Sequence, residues 1–175
     1  MKTKILYILL GLFLVGSSLI LMSSQQEQPG PMVIRKASTN SSITKGVVYT
    51  KAQMISLFGQ PDRYNEWESS CDEGIGFELK YGDNLFYFYP TLGFESFVLS
   101  SNDFYIENVN VRIGDSYNDF MAIYGQMIEV ESSTPERIIL KFWPWSKNAD
   151  SYLSIAFKKS NGIFKVSGIS YWPPV

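Results

Sequence analysis

In "LFYFYP" (85–90), side chains alternate with a period of two, which is how a strand with two unlike faces reads. Phe86 and Phe88 fall on one side, and Leu85, Tyr87 and Tyr89 on the other. Strand character recurs in 77–81, 94–101, 137–142, 151–157 and 162–172, which are rich in aromatic and β-branched residues. Gly82-Asp83-Asn84 is a tight-turn signal between two such runs. A helical period governs two other stretches, where Ile55 with Phe58, and Met121 with Tyr124, lie three apart. Thr50 and Ser116 precede these stretches as N-caps whose hydroxyls accept from free backbone N–H groups. Gln53 and Asp119, three residues on, can reach back to the cap, Gln as a capping box and Asp as a weaker version. Gly59 and Gly125 are expected to end the helices at positive φ, and Pro61 blocks continuation of the first.

These patterns occur twice. "MISLFGQP" (54–61) aligns with "FMAIYGQM" (120–127), Gly59 on Gly125. Downstream, Leu79-Lys80-Tyr81 aligns with Leu140-Lys141-Phe142, and Phe86 and Phe88 with Leu153 and Ile155. The second copy has a longer hairpin loop, "WPWSKNA" (143–149). Residues 104–114 read as a further strand leading into the second helix. The pattern predicts an α+β fold of two tandem helix-plus-three-strand units, residues 46–112 and 113–175. Their strands would join edge to edge as an antiparallel sheet, with the short helices packed on one face and the other face open.

The N-terminal pattern is different. Lys2 and Lys4 precede an uncharged, mainly apolar run over residues 5–22. Residues 1–22 read as a signal peptide or membrane anchor, which places the remainder outside the cytoplasm, periplasmic or extracellular. Residues 23–45, rich in Ser, Gln, Pro and Thr, read as a flexible linker, with 32–36 as a candidate short edge strand. Asn40-Ser41-Ser42 matches a glycosylation acceptor, a three-residue pattern common by chance.

Composition removes several chemistries. The chain of 175 residues has no histidine, so Ser–His and Cys–His nucleophile pairs and His-ligated zinc are absent. Its one cysteine, Cys71, can form neither an intramolecular disulfide nor a Cys-rich zinc site, and its acidic neighbours disfavour a thiolate. A net charge of -2 without basic runs argues against a nucleic-acid partner. The acidic stretch "EWESSCDEG" (66–74) lacks the spacing of a calcium loop and reads as solvated. Gly74-Ile75-Gly76 lacks the third glycine and the following helix of a phosphate loop. No cofactor is expected.

The stretch "GVVYTKAQMISLFGQPD" (46–62) resembles the helix-start motif of the SmpA/OmlA outer-membrane assembly lipoproteins and the tandem units of the β-lactamase-inhibitor-protein-like fold. The match is good over 46–62 and loose over 113–126. The resemblance implies an exported αβββ domain that binds protein. The lipoproteins have one unit and an acylated N-terminal cysteine, and the inhibitors a disulfide in each unit, so neither specific activity carries over to a chain whose single cysteine is Cys71.

Candidate binding residues follow. Tyr87 and Tyr89 are expected on the open sheet face, where aromatics suit a protein partner. Trp143 and Trp145 in the long hairpin loop can anchor a partner or cap the core. The expected function is an exported, non-enzymatic protein-binding module of the cell envelope. Its partner would be another envelope or extracellular protein, and it would touch the membrane only through its N-terminal segment. The alternatives are a structural domain of an envelope assembly held by that segment, or a glycan-acting enzyme. The enzyme would need two carboxylates facing across a cleft, and nothing in the sequence points to such a pair.

Overall fold

Strand propensity dominates this chain. The structure, a computed structural model, describes residues 31–70, 72–144 and 151–172. Three short strands, β1 (Val33–Lys36), β2 (Ser42–Thr44) and β7 (Phe104–Ile106), form an antiparallel sheet in the order β2-β1-β7. Eight others form a larger antiparallel sheet. They are β3 (Arg63–Glu68), β4 (Ile75–Tyr81), β5 (Asn84–Tyr89), β6 (Gly93–Leu99), β8 (Ile128–Ser133), β9 (Arg137–Phe142), β10 (Leu153–Ser160) and β11 (Ile163–Tyr171). Their order is β3-β4-β5-β6-β11-β10-β9-β8, with β6 and β11 joined through Leu99↔Ile169, Val98↔Ser170 and Phe97↔Tyr171. The helices among the described residues are α1 (Lys51–Phe58) and α2 (Tyr117–Tyr124), followed by a 3₁₀ turn at Gly125–Met127.

The expected fold class is therefore corrected. The chain is not α+β in two helix-plus-three-strand units. Its described residues are mostly β, with eleven strands in two antiparallel sheets and two eight-residue helices. The helix-plus-three-strand reading omitted β3 and β8, the two edges of the large sheet. Both carry charges on solvated positions, as edge strands do to discourage pairing with other chains, and neither shows the alternation of a half-buried strand. In the small sheet, β1 and β7 fall within the strands expected at 32–36 and 104–114, while β2, only three residues long, was not read as a strand. Within the span read as a linker, residues 33–44 supply β1 and β2, and Ile34 and Ile43 bury their side chains completely. The signal or anchor read over 1–22 lies outside the described residues.

Local signals explain the helices. Thr50 Oγ1 accepts from Gln53 N–H at 3.2 Å while Gln53 Oε1 accepts from Thr50 N–H at 2.7 Å, a complete capping box. Ser116 Oγ likewise accepts from Asp119 N–H at 3.1 Å, but the Asp119 carboxylate takes the Ser116 hydroxyl proton at 2.6 Å instead of the backbone N–H. Gly59 ends α1 at φ 83°, as expected. Gly125 does not: its φ is -55° and the chain continues into the 3₁₀ turn, because Met127 stands where the first copy has Pro61.

One face of the large sheet carries the core. Phe58 of α1 packs on Phe86 at 6.1 Å and on Phe104 of the small sheet at 5.0 Å between ring centroids. Phe104 in turn meets Phe86 at 4.9 Å, so α1 and the small sheet share the same face. Phe120 of α2 packs on Phe142 at 5.2 Å and Phe157 at 5.4 Å. The aligned residues Phe86, Phe88, Leu153 and Ile155 are all buried there. A fully buried amide ties the β4–β5 turn to the end of β6. Asn84 Nδ2 donates to the Tyr81 carbonyl at 3.1 Å and to Ser101 Oγ at 2.8 Å, while its Oδ1 accepts from Ser100 and Ser101 N–H at 3.0 and 3.2 Å.

Candidate functional site

Because strands alternate, burying Phe86 and Phe88 forces Leu85, Tyr87 and Tyr89 to the opposite face. No described element packs over that face. Tyr87 and Tyr89 lie there half-buried. Trp67 at the end of β3 stands beside them, 6.2 Å from Tyr87 and 5.7 Å from Tyr89 between centroids, both edge-on. Trp172, just past β11, reaches Tyr87 from the other side at 5.1 Å. The result is an aromatic strip in the order Tyr89, Trp67, Tyr87, Trp172, its last member 51% exposed.

Glycine makes room for this strip. Gly76 faces Trp67 across the β3–β4 ladder, and the indole lies on it. A Cβ at position 76 would come within 2.7 Å of Trp67 Cζ2 and 2.9 Å of the Phe88 carbonyl oxygen. Polar groups fix the border. Glu78 Oε1 accepts from Arg63 Nη2 at 2.6 Å and Asn65 Nδ2 at 3.3 Å. Burial, then the Glu78 charge, pushes the Tyr87 phenol above its ordinary value, so at neutral pH it keeps its proton and can donate. Ser96, cross-strand from Tyr87, is fully buried with its hydroxyl unpartnered.

The same face continues across β11, β10 and β9 as a groove of about 450 Å³. Its floor is made of small side chains: Ser154 sits opposite Ser170, and Ala156 opposite Gly168. Val98 and Ile139 form its apolar walls, and Glu136, Arg137 and Lys158 line one end. A smaller hollow shares Ser154 and Ser170 with it and ends at Tyr152 and Trp172, so the groove runs towards the aromatic strip.

The structure separates the four expected binding residues. Tyr87 and Tyr89 are together on the open face. Trp143 is 9% exposed and packed on Tyr152 at 5.5 Å, so it serves the protein's own packing and is no exposed anchor. Trp145 lies outside the described residues. Sequence reasoning missed Trp67 and Trp172. Trp67 was hidden in a stretch read as an acidic loop, although Gly76 downstream is the small partner that an indole on a sheet needs. Of that acidic stretch, Asp72 serves the fold. Its carboxylate accepts from the Thr91 and Leu92 N–H groups at 2.6 and 3.2 Å and from the Thr91 hydroxyl, and these bonds hold it below the usual carboxylate range. Among the described residues no group of three or more Cys, Asp or Glu side chains is placed to hold a metal ion.

Comparison with known protein families, with curated proteins and with solved structures gives no match for this chain. The reading of the site therefore rests on its own chemistry.

Proposed function

We propose that the chain is an exported, non-enzymatic binding module of the bacterial cell envelope that offers the open face of its large sheet to a protein partner. The observation that carries the reading is the strip Tyr89–Trp67–Tyr87–Trp172. These are the residue types that dominate binding energy at protein interfaces. They stand on a surface the protein's own core does not use, and they are held in one arrangement by mutual contacts and by Gly76. Preformed aromatic anchors lose little rotamer entropy on binding. Export rests on the charged and apolar pattern of residues 1–22. The lack of histidine throughout the chain removes the commonest general base at neutral pH.

Affinity capture from an envelope extract tests this. The immobilised full chain should recover a stoichiometric protein, and the double variant Trp67→Ala/Tyr87→Ala, with an unchanged circular dichroism spectrum, should lose it. Equal recovery by both, or recovery by neither, would overturn the reading.

A further inference from the structure

The end of the groove away from the aromatic strip carries an unusual row of charges. Arg137 pairs directly with Lys158 across β9 and β10, and Lys158 pairs directly with Lys165 across β10 and β11. Directly opposed residues share a face, so the three cations form one row over three adjacent strands, about 5 Å apart from strand to strand. All three are exposed. The ion pairs among the described residues use Arg35, Lys45, Arg63 and Lys141, and none uses a member of this row. Glu136 borders the same groove end, and one carboxylate does not balance three cations. Like charges set directly opposite one another on a sheet destabilise it. The row thus costs stability, and Glu136 is the carboxylate that lines the groove beside it. Its sign is also opposite to the chain's net charge of -2.

We infer that this half of the open face receives an extended, acidic segment of a protein partner, with carboxylates over the Arg137–Lys158–Lys165 row and the rest of the segment in the groove towards Trp172. The inference rests on the reading of the open face as the binding surface, and it names the chemistry of what binds. Charge complementarity selects an acidic occupant. The groove selects a polypeptide. Gly168 opposite Ala156 and Ser154 opposite Ser170 leave a floor low enough for a backbone to approach, and their hydroxyls and the walls Val98 and Ile139 suit a mixed polar and apolar chain. A phosphate polymer needs cations along many repeats. Here the row ends after three, on a protein of net negative charge.

The test uses the full chain, isotope-labelled for amide NMR, and synthetic hexaglutamate as the probe, with hexalysine as control. Hexaglutamate should shift the amides of Arg137, Lys158, Lys165 and Gly168, and raising the salt should weaken the response. Arg137→Gln/Lys158→Gln should weaken binding about tenfold. Gly168→Phe, whose Cβ meets only ordinary contacts with Leu99 O at 3.8 Å and Ala156 Cβ at 3.9 Å, should block the groove, and an unchanged circular dichroism spectrum checks that the sheet stays folded. The inference is overturned if hexaglutamate leaves the row unshifted, if the double variant binds it as well as the parent does, or if heparin or a single-stranded oligonucleotide occupies the row more tightly than hexaglutamate. Loss of hexaglutamate binding alone, with partner capture still sensitive to Trp67→Ala/Tyr87→Ala, would remove this inference and leave the open-face reading standing.

Discussion

The two copies of aromatic–Gly–Gln end differently, and a matched pair of substitutions exposes the difference. Gly59 lies at φ 83° and ψ -173°, a region only glycine occupies readily, with nothing within 4 Å of a built Cβ. Gly59→Ala therefore meets no clash, and its cost is backbone strain of about 1–3 kcal/mol. Gly125 lies at φ -55° and ψ -24°, ordinary right-handed helical values, and a Cβ there meets only Met121 Cε at 3.8 Å. Gly125→Ala should stabilise by about 0.5–1 kcal/mol, because alanine loses less conformational freedom on folding. The two variants should thus differ by about 1.5–4 kcal/mol. At about 3 °C per kcal/mol for a unit of this size, that separates their Tm values by about 5–12 °C. Differential scanning calorimetry of parent and both variants measures it. If both substitutions lower Tm equally, the two glycines are equivalent and the reasoning from their dihedrals is wrong.

Gly76→Ala should displace the Trp67 indole and change its fluorescence maximum, while Gly168→Ala, with room for its methyl, should leave that signal unchanged. Asn84→Ala should cost about 2–4 kcal/mol by urea denaturation, since it leaves the Ser100 and Ser101 N–H groups without their acceptor. Burial pushes the Tyr81 phenol up to about 12, where it donates to the Gly59 carbonyl at 3.2 Å. Its folded value exceeds the unfolded one of about 10, so its contribution is complete below pH 10 and is lost as pH rises through 12. An absorbance titration at alkaline pH should show a late-ionising tyrosine that Tyr81→Phe removes. Asp72 has the opposite sign. Its depressed folded value means stability that is present above the ordinary carboxylate range and lost as pH falls through the folded value, so Asp72→Asn should flatten the acid limb of a stability-versus-pH curve.

Central strands were legible because each buries one face, which imposes the period of two. β5 alternates Phe86 and Phe88 inward with Tyr87 and Tyr89 outward, as its sequence reads. The helix starts were legible because Thr50 and Ser116 cap through single short-range hydrogen bonds. Edge strands were not, since β3 and β8 bury almost nothing and show no period to read. The small sheet depends on contacts distant in sequence: Ile34 pairs with Ile106, and no local pattern announces such a pair. Half of the aromatic strip was visible for the same reason as β5. Trp67 and Trp172 join it only through the strand order β3-β4-β5-β6-β11, which sequence periodicity does not encode. The cation row was equally hidden, because Arg137, Lys158 and Lys165 become neighbours only in the register of β9, β10 and β11.

The central claim is that the open sheet face meets a protein. Site-specific photocrosslinking tests it most directly, with a benzophenone side chain placed at Tyr87, at Ala156 on the groove floor, or at the exposed Ile123 on α2, in the full chain within its native envelope. A discrete protein adduct from positions 87 and 156, and none from 123, is the predicted result. Adducts from position 123 alone, or from none of the three, would contradict it.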